Sequence, residues 1–137
     1  MDMKQTLISG LPELKLDLTQ AQTDTLCAFG QAVIDQNQVM NLTAITEPQQ
    51  VAKLHLLDSL TVLSALDLRG KSLIDVGCGA GFPGVPLAIA SPQTQVTLLD
   101  SLGKRVNWLK EILPQLGVNA QCVTARAEEA VADRRGI

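Results

Sequence analysis

Apolar residues along the chain follow two different periods, and the change falls near residue 70. Residues 3–9 suit a short helix closed by Gly10-Leu11-Pro12. Thr19 with Gln22 has the form of a capping box, and behind it Leu26, Phe29, Val33 and Met40 recur at roughly helical spacing. This pattern predicts a long amphipathic helix from about Thr19 to Gln38. Asn41–Ile45 reads as a connector, and Thr46 with Pro48 starts a further helix. Val51, Leu54, Leu56, Leu57, Leu60, Leu63 and Leu66 form its apolar stripe, which Asp67-Leu-Arg-Gly70 ends. The first 70 residues are therefore expected to form a helical layer with one face to bury.

From Lys71 the pattern becomes that of an α/β unit. Leu73, Ile74 and Val76 form a short apolar run, read as a buried parallel strand over 72–76. Glycines at 77, 79, 81 and 84 follow, and then an apolar helix start from Val85 to Ala90. A second strand, Gln95–Leu99, ends in Asp100, so the two strands are expected to be parallel neighbours in a βαβ crossover. The next helix runs from Lys104 to Leu116, with Val106, Leu109, Leu113 and Leu116 on one side and Gly117 as its C-terminal cap. Ala120–Ala125 is a third strand, and Ala127–Val131 begins a third helix of this half. Residues 1–70 and 71–137 together make one incomplete structural domain in this reading.

Composition adds limits rather than detail. The 137 residues are 46% hydrophobic, which suits a folded core. No apolar run reaches the length of a membrane span, and the N-terminus lacks a signal pattern. Cys27, Cys78 and Cys122 are far apart and odd in number, fitting neither a disulfide framework nor a zinc pattern, so a cytoplasmic setting and no metal are expected. Net charge is −3, unevenly spread: residues 1–68 carry three Lys/Arg against eight Asp/Glu, and residues 69–137 carry eight against six. A mildly basic second half is compatible with an RNA substrate without requiring one.

Strand, glycine turn and helix form the geometry of a nucleotide-type cofactor site, and two registers compete for it. Gly79, Gly81 and Gly84 fit G-x-G-x-x-G, the dinucleotide fingerprint, in which a helix N-terminus faces a pyrophosphate. Asp75, Gly77, Gly79 and Gly81 fit D-x-G-x-G-x-G, which suits S-adenosylmethionine, a cofactor without phosphate that needs close backbone approach. A phosphate P-loop is excluded, since no Gly-Lys-Ser/Thr follows the glycines. Asp100 lies roughly 20 residues beyond the loop, where a carboxylate can accept ribose hydroxyls under either reading. Ala127 and Glu128 fall where the chain passes the far side of the pocket, although Glu128 and Glu129 equally suit a helix's first turn.

Five segments in this order carry a more specific pattern: Asn41–Ile45, His55 with Asp58-Ser59-Leu60, Asp75–Ala88, Leu98–Arg105 and Ala125–Glu129. Together they closely resemble the bacterial 16S ribosomal RNA guanine-N7 methyltransferases, the RsmG or glucose-inhibited division protein B family, over nearly all of residues 14–130. The resemblance implies a Rossmann-like S-adenosylmethionine-dependent methyltransferase fold and methyl transfer to a guanine N7 in 16S rRNA. It places Gly77, Phe82, Ala127 and Glu128 in the cofactor pocket, with Gly79 and Asp100 as additions. Guanine N7 has a free lone pair and no proton, so no general base is expected.

His55, the only histidine, is expected to be structural, packing the helical layer onto the sheet. Cys78 is expected to be inert, and Lys104 and Arg105 suit either RNA phosphates or a solvated helix start. Family members continue into a strand bearing a Ser-Arg-Ala segment that is absent from this sequence. The expectation is an N-terminal fragment truncated after about the third strand, with strand 72–76 a bare edge, weak cofactor binding and no RNA methylation. Two other classes stay open: an NAD-binding Rossmann oxidoreductase domain, and a non-catalytic chain that binds RNA or a partner through its helical layer.

Overall fold

The computed structural model describes residues 2–126; the helix expected from Ala127, with Ala127 and Glu128 themselves, lies outside the described residues. Helix α1 (Met3–Gly10) leads through a short 3-10 turn (Pro12–Leu14) to α2 (Gln20–Gln36). Both helices start on capping boxes. Asp2 accepts from Gln5 N–H at 2.8 Å, and Thr19 accepts from Gln22 N–H at 3.1 Å, with each glutamine side chain bonding back to the cap N–H. Gln22 Nε2 also donates to the Ile89 carbonyl at 3.2 Å, which ties the start of α2 to the α/β half.

The third helical segment is compound: α3 (Pro48–Val51), a π-helical turn (Ala52–Leu57) and α4 (Asp58–Ala65) run on without a break. The π turn alters the expected stripe. Its wider turn shifts the angular phase, so Val51, Ala52, Leu56 and Leu60 are buried while Leu54 is 52% exposed. Leu66 is 58% exposed because it lies beyond the helix end in extended backbone.

The α/β half holds β1 (Ser72–Val76), α5 (Gly84–Ala90), β2 (Gln95–Asp100), α6 (Gly103–Gln115) and β3 (Gln121–Thr124). The strands form one parallel sheet in the order β1-β2-β3, with Ser72 opposite Gln95 and Thr97 opposite Gln121. Helices α5 and α6 pack against β2, while α2 and α4 pack on α5. The helical layer thus meets the sheet chiefly through α5. Leu26, Phe29, Val33, Leu56 and Leu60 from the layer share one buried cluster with Val85, Leu98 and Leu109. Among the described residues β1 is the sheet edge, as expected, with Ile74 and Val76 exposed by 41% and 55%.

Candidate cofactor site

The loop between β1 and α5 wraps the carboxyl end of β2. Gly77 N–H and Cys78 N–H both donate to the Leu99 carbonyl, at 2.8 and 3.0 Å, so the chain bends across the neighbouring strand as it leaves β1. Gly77, Gly79 and Gly81 have φ of 69°, 57° and 108°, the region where a side chain is strained. Around Gly77 and Gly79 an added Cβ would meet no atom within 4 Å, so backbone conformation is what selects glycine there. At Gly81 a Cβ would lie 2.8 Å from Val85 and 3.0 Å from Phe29, and at Gly84 it would press on Leu98 and on the Asp75 carboxylate. Gly84 thus lets α5 seat against the sheet, and Gly81 lets the loop lie against α5 and α2.

Two carboxylates brace this loop. Asp75 Oδ2 accepts the Gly84 N–H at 2.9 Å, at the start of α5. Burial pushes the Asp75 carboxyl above its ordinary pKa, and the like charge of Asp100 adds to this, while the Gly84 hydrogen bond opposes it. Asp100, buried at the end of β2, accepts Gly79 N–H on Oδ2 at 2.8 Å and Leu102 N–H on Oδ1 at 2.9 Å. Arg105 Nη1 stands 3.6 Å from Asp100 Oδ2. Arg105 therefore leans on Asp100 instead of reaching outward, whereas Lys104 is exposed. Asp100 stands where its spacing put it, and its oxygens keep further lone pairs beside the two backbone bonds.

Phe82 anchors the loop to the helical layer. Its ring stacks on His55 with centroids 4.4 Å apart and planes at 6°, and meets Phe29 edge-on at 5.5 Å. Phe29 in turn lies 6.2 Å from Trp108 of α6. His55 Nε2 shares a hydrogen bond with Thr43 Oγ1 at 2.7 Å, and Thr43 Oγ1 also accepts from Ile45 N–H at 3.1 Å. His55 packs on the loop, not on the sheet as the sequence suggested. Burial lowers its pKa below the ordinary 6.5, against the opposing pull of Asp58. The convergence of these rings was missed from the sequence. The one available signal was their scarcity, with two phenylalanines, one tryptophan, no tyrosine and one histidine in the chain.

Cys78, a residue of the loop itself, is buried. Its thiol is pushed up to about 12, first by burial and then by the nearby carboxylates of Asp75 and Asp100. A nucleophilic role is thereby removed at neutral pH. Among the described residues no group of three or more His, Cys, Asp or Glu is placed to hold a metal ion, and no helix is long and apolar enough to cross a membrane.

A parallel strand, a braced glycine loop, a helix and a carboxylate ending the next strand define a Rossmann-like α/β fold of the methyltransferase kind. The model of the family described as rRNA small subunit methyltransferase G (GidB) matches residues 22–136, and the chain belongs to that family. It is 43% identical over 130 residues to a protein of Desulforamulus reducens named ribosomal RNA small subunit methyltransferase G, covering 93% of this chain and 54% of that protein. Proteins of the same name from Lachnoclostridium phytofermentans (44% identity, 90% of this chain and 52% of that one) and Haemophilus ducreyi (41%, 95% and 64%) are similar to it as well. The chain spans between half and two thirds of the length of these relatives.

Proposed function

We propose that this chain is the cofactor-binding part of an enzyme that transfers a methyl group from S-adenosylmethionine to N7 of a guanine in 16S rRNA of the small ribosomal subunit, in the cytoplasm. The observation that carries the choice of cofactor is the Asp75–Gly84 hydrogen bond. A dinucleotide site needs free N–H groups and positive potential at the helix N-terminus to receive a pyrophosphate. Here Gly84 N–H is taken by a carboxylate, Val85 N–H by the Gly81 carbonyl at 2.7 Å and Leu87 N–H by the Pro83 carbonyl at 3.2 Å. Pro86 has no N–H. A phosphate at this point would meet Asp75 instead of donors, which speaks against the NAD reading. Two buried carboxylates at the loop suit a cationic ligand.

Gly77, Gly79, Phe82 and Asp100 are the described residues we assign to the cofactor, with Ala127 and Glu128 completing the set. When bound, S-adenosylmethionine supplies an activated methyl group on a sulfonium. Gly77 and Gly79 hold a backbone surface without side chains, Phe82 offers an apolar ring, and Asp100 presents a carboxylate for ribose hydroxyls. Methylation forms the N7–carbon bond as the carbon–sulfur bond breaks, its electron pair passing to sulfur. No proton moves, so this chain has only to position and desolvate. Calorimetric titration of the chain with S-adenosylhomocysteine, with NAD as control, tests the reading. Binding of the former alone is expected. Preference for NAD overturns the choice of S-adenosylmethionine, and binding of neither by a folded chain overturns cofactor binding by this chain.

A further inference from the structure

Three independent features meet at His55. It lies in the π-helical turn Ala52–Leu57, whose altered phase breaks the apolar stripe, and such turns are frequent at functional sites. Its ring lies flat on Phe82, the side chain at the tip of the glycine loop. Its Nε2 is held by Thr43, in a connector that is itself pinned where Asn37 Oδ1 accepts N–H bonds from Leu42 and Thr43 at 2.7 and 2.9 Å. The His55 carbonyl accepts both the Asp58 N–H and, at 2.5 Å, the Ser59 hydroxyl. Every aromatic side chain in the sequence belongs to the same cluster, through Phe82, Phe29 and Trp108.

We propose that His55 is a positioning residue of the glycine loop: its ring, oriented by Thr43, clamps Phe82 and so holds the loop in the conformation that receives cofactor. The proposal deepens the cofactor reading above and rests on it. The path is short. Thr43 sets the plane of the imidazole, the imidazole sets the plane of Phe82, and Phe82 is continuous with Gly81 and Gly84, whose N–H groups bond to Cys78 and Asp75. Stacked rings resist tilting, so the clamp acts on ring orientation and not merely on buried area. The helical layer thereby gains a role beyond covering α5.

Amide hydrogen exchange on the 137-residue chain, compared among wild type, His55→Ala and His55→Phe, separates this role from ordinary packing. His55→Ala removes the ring, and exchange at the Gly79, Gly81 and Gly84 amides is expected to speed up at least about tenfold, with β2 amides within about threefold of wild type. His55→Phe keeps a ring to stack and is expected to leave the loop within about threefold of wild type. Equal loop exchange in wild type and His55→Ala overturns the proposal. So does a uniform acceleration in β2 and loop alike, and so does His55→Phe behaving as His55→Ala. Titration with S-adenosylhomocysteine on the same samples is expected to show at least about tenfold weaker binding for His55→Ala and recovery in His55→Phe. Wild type that binds none of it removes the cofactor reading, while loop exchange still decides the role of His55.

Discussion

Asp75 and Gly84, nine residues apart and on opposite sides of the glycine loop, are joined by one hydrogen bond of 2.9 Å from the Gly84 N–H to the Asp75 carboxylate. The last buried residue of β1 thus caps the start of α5 and closes the loop on itself. Replacing Asp75 by Ala leaves a buried N–H without its partner and is expected to destabilise the fold by about 1–2 kcal/mol. Urea unfolding followed by circular dichroism measures this; an unchanged midpoint would mean that the loop is held elsewhere.

The glycines divide into two kinds, and alanine substitution separates them. Gly84→Ala drives a Cβ into Leu98 and Asp75 and is expected to cost about 1–3 kcal/mol through displacement of α5. Gly79→Ala meets open space, so its expected cost is only the backbone strain of positive φ, about 1–2 kcal/mol. Its binding of S-adenosylhomocysteine, however, is expected to fall at least about tenfold, because the new methyl would project into the face proposed to receive cofactor. Paired unfolding and calorimetric titrations read the contrast, and equal loss of affinity and stability in both variants would contradict it.

Cys78 is expected to resist alkylation in the folded chain. Burial and two carboxylates keep its thiol protonated, whereas Cys27 and Cys122 are half-buried, and in each a lysine, Lys4 or Lys110, opposes the upward push of burial. Peptide mass spectrometry after iodoacetamide at about pH 8 should find Cys78 modified last, with all three cysteines modified in urea. Early labelling of Cys78 would show that the loop opens readily.

His55 gives stability a defined pH dependence. Its folded pKa lies below the ordinary 6.5, so just below 6.5 the unfolded chain binds more protons than the folded one. Stability from this group is therefore complete above 6.5 and is lost as pH falls through 6.5 toward the lowered value. Urea midpoints at about pH 7.5 and about pH 5.5 are expected to drop more for wild type than for His55→Phe. Equal drops would mean that His55 titrates freely in the fold.

Much of this architecture is written locally. The capping boxes at Asp2 and Thr19, the switch from helical to strand spacing near residue 70, the glycine run and the strand-terminal Asp100 depend on residues within a few positions of each other. Side-chain-to-backbone bonds and periodic burial act over that range, so they show in the sequence itself. The family pattern adds the expected identity of the loop. What the sequence left open was which acceptor each loop N–H would find. Asp75 reaches Gly84 over nine positions and Asp100 reaches Gly79 over 21, and no local propensity chooses those pairs. The π turn is of the same kind: it places His55 against Phe82 and turns Leu54 outward, a phase that a regular helical stripe does not reveal. Such pairings are decided when α5, β2 and the helical layer close around one core, because only there does burial make an unpaired N–H or a misplaced ring costly.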